Sequence, residues 1–368
     1  MIKDEPNGFN IESTAAEAHS HAEYLLKAAV EAGASDLHLT AGSPIMLRIH
    51  GELRPLGTRL LRPEDTENLV RQLIGEEGWA LFEESGDADF AYGISGVGRF
   101  RVNTYRQRSH AGLSIRVIPD RVPRLAALGL PEAAEWFAGR PQGLLLVTGP
   151  TGSGKSTSLA AIVDHINRTR RDHILTLEDP IEYLHEPKNS IINQREVGRD
   201  TSSFARGLRA ALRQDPDVVL VGEMRDLETI STAITAAETG HLVLATLHTA
   251  DAPQSIDRII DVFPPGQQQQ IRYQLSSVLL GIMAQRLLPK VDGTGKVAAV
   301  EVLVNTPAVA NLIRSEKVHQ LRSVMQTGRS SGMQTMEQAL RELVQAGTVT
   351  EEAARNASIG LTDGASFG

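Results

Sequence analysis

The sequence predicts an α/β protein with two domains of different construction. Short segments that alternate apolar and polar residues occupy the part before residue 120, whereas continuous apolar runs alternate with helical segments after residue 140. A glycine-rich loop also stands between one of these apolar runs and an amphipathic segment. The length of 368 residues is ample for two or three cores. We therefore expect a small α+β domain followed by a larger domain with a parallel sheet.

The first domain opens with a helical pattern and continues with strand patterns. Apolar residues fall at roughly helical spacing over residues 12–32, and Gly33 closes that pattern. Apolar residues then recur at every second position, which is the period of a strand with one buried face. The positions in this alternating pattern are Leu37, Leu39, Ile45, Leu47, Ile49, Phe100, Val102, Leu113, Ile115 and Val117. The pattern predicts an antiparallel α+β domain.

Proline and glycine mark the boundary between the two domains. The stretch from Pro119 to Pro141 holds four prolines and two glycines, which interrupt regular structure. The predicted parts of the chain are 1–120 (first domain with an N-terminal extension), 121–140 (linker), 141–290 (core of the second domain) and 291–368 (mainly helical C-terminal region and tail). Within the last part we expect one strand, at Val297–Val304.

The second domain shows the pattern of a parallel sheet. Four short apolar runs are separated by helical segments, and such runs are typical of strands that are buried on both faces. The runs are Leu144–Val147, Ile174–Leu177, Val218–Val221 and Leu242–Leu247. A sheet of this kind collects ligands at the carboxyl ends of its strands.

Composition excludes several classes of protein. A formal net charge of -8 and 4% aromatic residues argue against a broad nucleic-acid surface, so no nucleic-acid partner is expected. Cysteine is absent, which excludes disulfide frameworks, thiol nucleophiles and cysteine-ligated zinc. No apolar run approaches the ~18 residues of a membrane span, and the start lacks the blocks of a signal peptide. We expect a cytoplasmic protein.

The glycine-rich loop GPTGSGKS matches the phosphate-binding P-loop pattern. An apolar run leads into it and a helical segment leads out, which is the context that the pattern requires. The glycines let the backbone wrap phosphates, Lys155 supplies a positive charge and Ser156 can ligate Mg²⁺. The predicted nucleotide-binding residues are Gly149, Pro150, Thr151, Gly152, Ser153, Gly154, Lys155, Ser156 and Thr157. The expected ligands are ATP and Mg²⁺.

Two carboxylate groups follow apolar runs downstream of this loop. Glu223 ends the run in DVVLVGEMRD, as a Walker B residue does, and we expect it to hold Mg²⁺ through its hydration shell. Glu178 and Asp179 end the run in LEDPIEY, where Glu182 follows on a turn. ATP hydrolysis needs a positioned water, and we assign its orientation to Glu182. The alternatives are a solvent-facing strand end for the first group and an ordinary acidic loop for the second.

Histidines bracket the apolar run LVLATL. A fully extended strand would separate His241 from His248 by ~23 Å, so the two cannot share one metal ion. His248 follows the run and is the better placed to sense a γ-phosphate. From spacing alone, a purely structural histidine is slightly favoured for each.

Arg101 and Arg116 lie on predicted strands of the first domain and alternate with its apolar residues. The sequence alone favours the interpretation that both are solvated arginines on the surface. The alternative is that they reach a nucleotide held by another domain, as arginine fingers that accelerate phosphoryl transfer by about 10³ to 10⁵.

Four motifs together resemble the type IV pilus retraction ATPases of the secretion-ATPase superfamily. GPTGSGKST resembles Walker A, LTLEDPIEY the Asp box, VLVGEMRD Walker B and TGHLVLATLHT the His box. The resemblance implies a PAS-like first domain and a RecA-like second domain, with nucleotide bound between the two in a hexameric ring. The residues to which it assigns catalytic roles are Glu182, Glu223, His241, His248, Arg101 and Arg116. It also matches Arg314, in VANLIRS, to a C-terminal segment associated with retraction.

The implied function is a hexameric motor whose ATP-driven domain closure powers pilus retraction and twitching motility. Its implied partners are an inner-membrane pilus platform protein and a paralogous pilus ATPase, at the cytoplasmic side of that membrane. The absence of cysteine and the short segment before Asp36 favour retraction over pilus assembly or type II secretion. An accessory retraction ATPase, an assembly or secretion ATPase, a RecA-like DNA translocase and a nucleotide-gated scaffold remain the alternatives.

Overall fold

The computed structural model describes residues 21–49, 51–118 and 121–358. The chain divides into two compact units, Met1–Asp120 and Arg121–Gly368, and each has its own core. Each unit combines a sheet with helices, which confirms the predicted α/β class. The N-terminal part of the helix predicted over 12–32 and the predicted tail lie outside the described residues.

The first unit is built on an antiparallel sheet, as its alternating sequence predicts. The strands are β1 (Asp36–Thr40), β2 (Ile45–Ile49), β3 (Glu52–Leu56), β4 (Asp87–Ile94), β5 (Gly98–Gln107) and β6 (His110–Ile118). Their order is β3-β2-β1-β6-β5-β4. The predicted apolar positions Leu37, Phe100 and Leu113 are fully buried. The sheet is therefore apolar on one face, and that face forms the core of the unit.

Helices α1 (His21–Glu31) and α2 (Pro63–Ser85) supply the rest of this core. The sequence analysis does not predict α2. Its backbone leaves helical geometry at Gly75, where φ is 69°, and this break disrupts the helical spacing of apolar residues. Val70 and Phe82, on either side of the break, are nevertheless fully buried.

The second unit contains a mixed sheet with parallel strands at its centre. The strands are β7 (Gly143–Thr148), β8 (His173–Glu178), β9 (Ile191–Glu196), β10 (Val218–Val221), β11 (Leu242–Leu247), β12 (Leu279–Pro289) and β13 (Lys296–Val304). Their order is β13-β12-β7-β11-β10-β8-β9, and only the β12–β13 pair of these neighbours is antiparallel. The four predicted apolar runs and the predicted strand near residue 300 are all present, whereas β9 and β12 are additional.

Helices cover this sheet and form most of the C-terminal region. They are α3 (Ala133–Ala138), α4 (Lys155–Thr169), α5 (Phe204–Ala211), α6 (Leu227–Glu238), α7 (Ala252–Asp261), α8 (Pro265–Val278), α9 (Pro307–Arg314), α10 (Leu321–Thr327), α11 (Met336–Gln345) and α12 (Glu351–Ser358). Short 3₁₀ helices cover Leu125–Leu128, Val318–Gln320 and Arg329–Ser331. Every helix within the described residues is too short or too polar to span a bilayer.

Residues 121–140, which the sequence predicts as a linker, pack into the core of the second unit. Phe137 in α3 is fully buried in the same cluster as Leu144 and Leu145 of β7. Gly281 of β12 makes room for its ring, because a Cβ at that position would lie 2.3 Å from the Phe137 Cζ. The aromatic side chain thus joins α3 to the sheet.

We predict that Phe137→Ala lowers the free energy of unfolding by about 3–5 kcal/mol, because it deletes a fully buried ring and leaves a cavity. The matched control is Trp136→Ala, since the neighbouring Trp136 is 43% exposed and should cost about 1 kcal/mol. Urea unfolding followed by circular dichroism measures both. Equal losses for the two variants would contradict the assignment of Phe137 to the core.

Candidate functional site

Most of the predicted site residues of the second unit lie at the carboxyl edge of its sheet. Strands β7, β11, β10 and β8 are parallel neighbours, so the loops that follow them lie side by side. These loops carry the P-loop, His248, Glu223 and Glu182 in that order. Residues that are far apart in sequence are thereby placed at one edge.

The P-loop has a backbone that only glycine accommodates easily. Gly149, Gly152 and Gly154 have φ values of 142°, 77° and 89°. Space is also restricted, because a Cβ at Gly149 would lie 2.4 Å from the carbonyl oxygen of Gln285. The loop leads directly into α4, so its backbone N–H groups and the helix dipole favour an anion.

Lys155, the first residue of α4, turns its side chain back over the loop. Its Nζ donates to the carbonyls of Gly149, at 2.8 Å, and Pro150, at 3.1 Å. Burial lowers the pKa of the Lys155 ammonium from its ordinary value, and the carboxylates of Glu223 and Glu182 partly offset this shift. The lysine therefore belongs to the same electrostatic environment as both predicted acidic residues.

Gln285 on β12 braces the P-loop and is a residue that the sequence analysis does not single out. The residue is 1% exposed, and its Nε2 donates to the Ser153 carbonyl at 2.8 Å. The same amide nitrogen would lie 3.1 Å from a Cβ at Gly154. The sequence signal that could have found it is the segment AQRLLP, in which Gln285 and Arg286 interrupt a run of apolar residues.

Glu223 lies two residues beyond β10 and is largely enclosed, with 19% of its side chain exposed. Its Oε1 accepts from the Arg225 Nε and lies 3.3 Å from the His248 Nε2. Burial by itself would raise the pKa of Glu223, but the hydrogen bonds and charges of Arg225 and His248 bring that pKa below its usual range. The carboxylate is therefore ionised at neutral pH. Arg225 is a second residue that the sequence analysis misses, although GEMRD places it two positions after the glutamate.

The two predicted histidines occupy opposite ends of β11. His248, at the carboxyl end, contacts Glu223 as described above. His241, at the amino end, has its Nδ1 2.8 Å from the Ala236 carbonyl at the end of α6. The structure brings only His248 to the carboxyl edge.

The acidic loop after β8 is held from several directions. The Glu178 carboxylate accepts from the Thr176 hydroxyl at 2.6 Å and from the Glu182 N–H at 3.4 Å. Desolvation by the surrounding protein raises the pKa of Glu178. Asp179 is exposed, whereas Tyr183 is buried and its hydroxyl lies 3.0 Å from the Thr157 hydroxyl on α4. The loop is thus tied to the helix that follows the P-loop.

Arg101 and Arg116 of the first unit are cross-strand neighbours on β5 and β6. Arg101 Nη2 lies 2.7 Å from an Asp89 carboxylate oxygen, and Arg116 Nε lies 2.9 Å from one of Asp36. Their side chains are 40% and 66% exposed. Both guanidinium groups therefore stand on the solvent face of the sheet, each beside a carboxylate.

Arg314 ends α9 and has its contacts with α8. Its guanidinium carbon lies 5.8 Å from the centre of the Tyr273 ring, and its carbonyl accepts from the Gln269 Nε2 at 3.5 Å. These contacts place it apart from the groups at the carboxyl edge.

A family model for type II/IV secretion system proteins matches residues 14–360. The chain belongs to this family. It is 49% identical over 331 residues to the type IV pilus retractation ATPase PilT of Pseudomonas aeruginosa, covering 90% of this chain and 96% of that protein. It is 44% identical over 330 residues to the type IV pilus ATPase PilU of the same organism, covering 90% and 86%.

Solved structures of this family agree with the fold. The crystal structure of the pilus retraction motor PilT with bound ADP superposes with a TM-score of 0.86 at 50% identity, covering 92% of this chain and 97% of that one. The predicted resemblance to the pilus retraction ATPases within the secretion ATPase family is therefore confirmed, together with the α/β fold class that includes a RecA-like ATPase domain.

Proposed function

We propose that this chain is an ATP-hydrolysing motor that powers retraction of type IV pili. One observation carries the chemical part: the P-loop, the Glu182 loop, Glu223 and His248 lie on adjacent strand ends of one sheet. The names of the relatives at 49% and 50% identity support the mechanical part.

The residues at this edge suit the hydrolysis of a phosphoanhydride. Lys155 and the N–H groups of the P-loop neutralise and orient the phosphates, and Glu182 orients the attacking water and accepts its proton. The carboxylate of Glu182 stands close enough to affect the pKa of Lys155, so both act on the same small region. His248 contacts Glu223 and thereby connects β11 to the phosphate end of the site.

The donor atoms present also fit a magnesium ion. Mg²⁺ prefers oxygen ligands, and Ser156 offers a hydroxyl while Glu223 offers an ionised carboxylate that acts through water. Bound Mg²⁺ would neutralise charge that develops on the phosphate oxygens. Arg225 and His248 hold the Glu223 carboxylate in place.

The first unit supplies the cationic groups that complete the reaction in this proposal. These groups are Arg101 and Arg116, which act on the γ-phosphate as arginine fingers. A nucleotide shifts an equilibrium between open and closed states only through its different affinity for the two states, so the γ-phosphate must be bound more tightly in the closed state. Hydrolysis then removes the γ-phosphate that stabilises the closed state, the domains reopen, and this movement is the displacement that the motor produces.

The assembled motor in this proposal is a homo-hexamer at the cytoplasmic side of the inner membrane, where it acts on a pilus platform protein. A PilU-like accessory role is the second candidate, because the chain is also 44% identical to PilU. Pilus retraction in a strain that lacks only this protein separates the two. Complete loss of retraction supports the main motor, and loss only under load supports the accessory role.

We predict that Lys155→Ala lowers kcat for ATP hydrolysis by about 10²- to 10³-fold, because a buried cation that faces the phosphates is removed. ATPase assays and equilibrium binding of a fluorescent ATP analogue measure turnover and affinity separately. Lys296→Ala, at an exposed lysine of β13, is the matched control and should behave as the wild type. Wild-type turnover in Lys155→Ala would contradict the proposed function.

A further inference from the structure

Strand β9, at the edge of the second sheet, directs a side-chain amide at the loop that follows β8. The Gln194 Nε2 donates to the Glu178 carboxylate at 3.1 Å and to the Tyr183 carbonyl at 2.8 Å. Its Oε1 accepts from the His185 N–H at 2.8 Å. One side chain therefore binds the last residue of β8 and two residues of the loop that follows it.

The hydrogen bond from Gln194 to Glu178 connects Gln194 to Glu182, the residue that we assign to water activation. Glu178 Oε1 accepts from Gln194, while its Oε2 accepts from the Glu182 N–H at 3.4 Å. Gln194 also binds the carbonyl of Tyr183, the residue that follows Glu182. The main chain is thus fixed immediately before and after the Glu182 side chain.

Burial makes the Glu178 carboxylate dependent on its donors. Desolvation raises the pKa of Glu178, and the hydrogen bonds from Thr176, Gln194 and the Glu182 N–H oppose this shift. Removing one donor from a desolvated carboxylate costs more than removing one at the surface. A change at Gln194 should therefore move the loop.

Other contacts hold the first residues of the loop, at Ile181 and Tyr183. Glu196, two residues along β9, accepts from the Ile181 N–H at 3.2 Å. The Tyr183 hydroxyl lies 3.0 Å from the Thr157 hydroxyl on α4. Beyond His185, the Asn167 Nδ2 donates to the Glu186 carbonyl at 2.8 Å. Gln194 therefore binds the segment between these two sets of contacts, at Tyr183 and His185.

We propose that Gln194 is a positioning residue for ATP hydrolysis, which holds the loop after β8 so that Glu182 faces the reacting phosphate. The inference rests on the proposed function, because it takes Glu182 as the residue that orients water. Gln194 makes no contact with the P-loop in the hydrogen bonds above. Its loss should therefore slow turnover and leave nucleotide affinity intact.

The first test is Gln194→Leu in the full chain, with ATP as substrate. We expect kcat to fall about 10- to 100-fold, since a displacement of about 1 Å in a catalytic group has an effect of this size. KM for ATP should stay within about twofold, because the lost interaction acts in the transition state. Gln274→Leu is the matched control, since Gln274 Nε2 donates to the Glu238 carboxylate at 3.0 Å elsewhere in the unit.

The second test is a double-mutant cycle with Glu182→Gln. If Gln194 acts through Glu182, then Gln194→Leu should lower kcat by less than about twofold when Glu182 is already replaced. Losses that multiply in the double variant would overturn the inference. So would a rise in KM that matches the fall in kcat.

A variant of unchanged size tests the same contact without opening a cavity. Gln194→Glu keeps the side-chain shape but turns a carboxylate toward the Glu178 carboxylate, so it should give the same selective loss of kcat, and wild-type kcat would overturn the inference. Wild-type turnover in Glu182→Gln would contradict the proposed function together with the inference. A large loss in Glu182→Gln beside normal turnover in Gln194→Leu would contradict the inference alone.

Discussion

Replacing Arg101 and Arg116 together with alanine is expected to lower kcat for ATP hydrolysis by about 10³- to 10⁵-fold, the effect of an arginine finger in phosphoryl transfer. The loss corresponds to about 4–7 kcal/mol of transition-state stabilisation. Both guanidinium groups stand on the solvent face of the first unit, each beside one aspartate that orients it. In the proposed function, these guanidinium groups stabilise the negative charge that develops on the γ-phosphate.

Folding should survive this change. The exposed Arg101–Asp89 pair contributes about 0–1 kcal/mol. Asp36 is largely buried, but after the loss of Arg116 it still accepts from the Ser35 hydroxyl at 2.9 Å and lies 3.9 Å from the Arg48 Nε, so we expect the sheet to stay folded. Steady-state ATPase and circular dichroism separate the two effects. Arg54→Ala is the matched control, because Arg54 is an exposed arginine of the same sheet that pairs with Glu52. Loss of less than about tenfold in the double variant would contradict the finger assignment.

Glu182→Gln is expected to lower kcat by about 10²- to 10⁴-fold, the contribution of a positioned general base. The amide has the shape of the carboxylate but cannot accept the proton of the attacking water. Affinity for the ATP analogue should change by less than about threefold, because Lys155 and the P-loop remain. Rapid-quench measurement of a single turnover reports the chemical step directly.

Glu186→Gln controls for the loss of one negative charge in the same loop, since Glu186 is exposed and lies four residues further on. Its turnover should match that of the wild type. Equal losses in the two variants would assign the effect to the charge of the loop and would remove Glu182 from the role of base.

The sequence contains enough information to predict the P-loop and its neighbouring strands. A run such as Leu144–Val147 is apolar at every position because both faces of the strand are covered, and this pattern is local. The glycine spacing is local too, because Gly149, Gly152 and Gly154 each meet a backbone requirement within one loop. Sequence reasoning is strong where the constraint lies within a few residues.

Elements that depend on distant contacts escape such reasoning. Strand β9 has the sequence IINQRE, in which four polar residues follow two isoleucines, and Ile191 is 64% exposed, so no apolar pattern marks it. Strand β12 follows α8 without a break, and its apolar residues continue from a helix. The position of residues 121–140 in a core also depends on Gly281, more than 100 positions away, which makes room for Phe137.

The site shows the same division. Glu182, Glu223 and His248 are predictable because each follows an apolar strand, and parallel strands end at one edge. Gln285 and Gln194 act through contacts with other strands and loops: the Gln285 amide meets Ser153 132 positions away, and the Gln194 amide meets Glu178 16 positions away. Arg225 binds Glu223 only two positions away, but no strand pattern marks it. His241 lies away from the site because β11 runs without a break from Leu242 to Leu247 and so places His241 and His248 at opposite ends.

The pairing of Arg101 with Arg116 across β5 and β6 also limits how this surface can change. Side chains of an antiparallel sheet alternate between faces, so a slip of one residue in either strand would turn one guanidinium into the apolar interior. Insertion or deletion of a single residue along β5 or β6 should thus be far less tolerable than substitution. Backbone hydrogen bonding between β5 and β6 fixes this register and so keeps the two cations side by side.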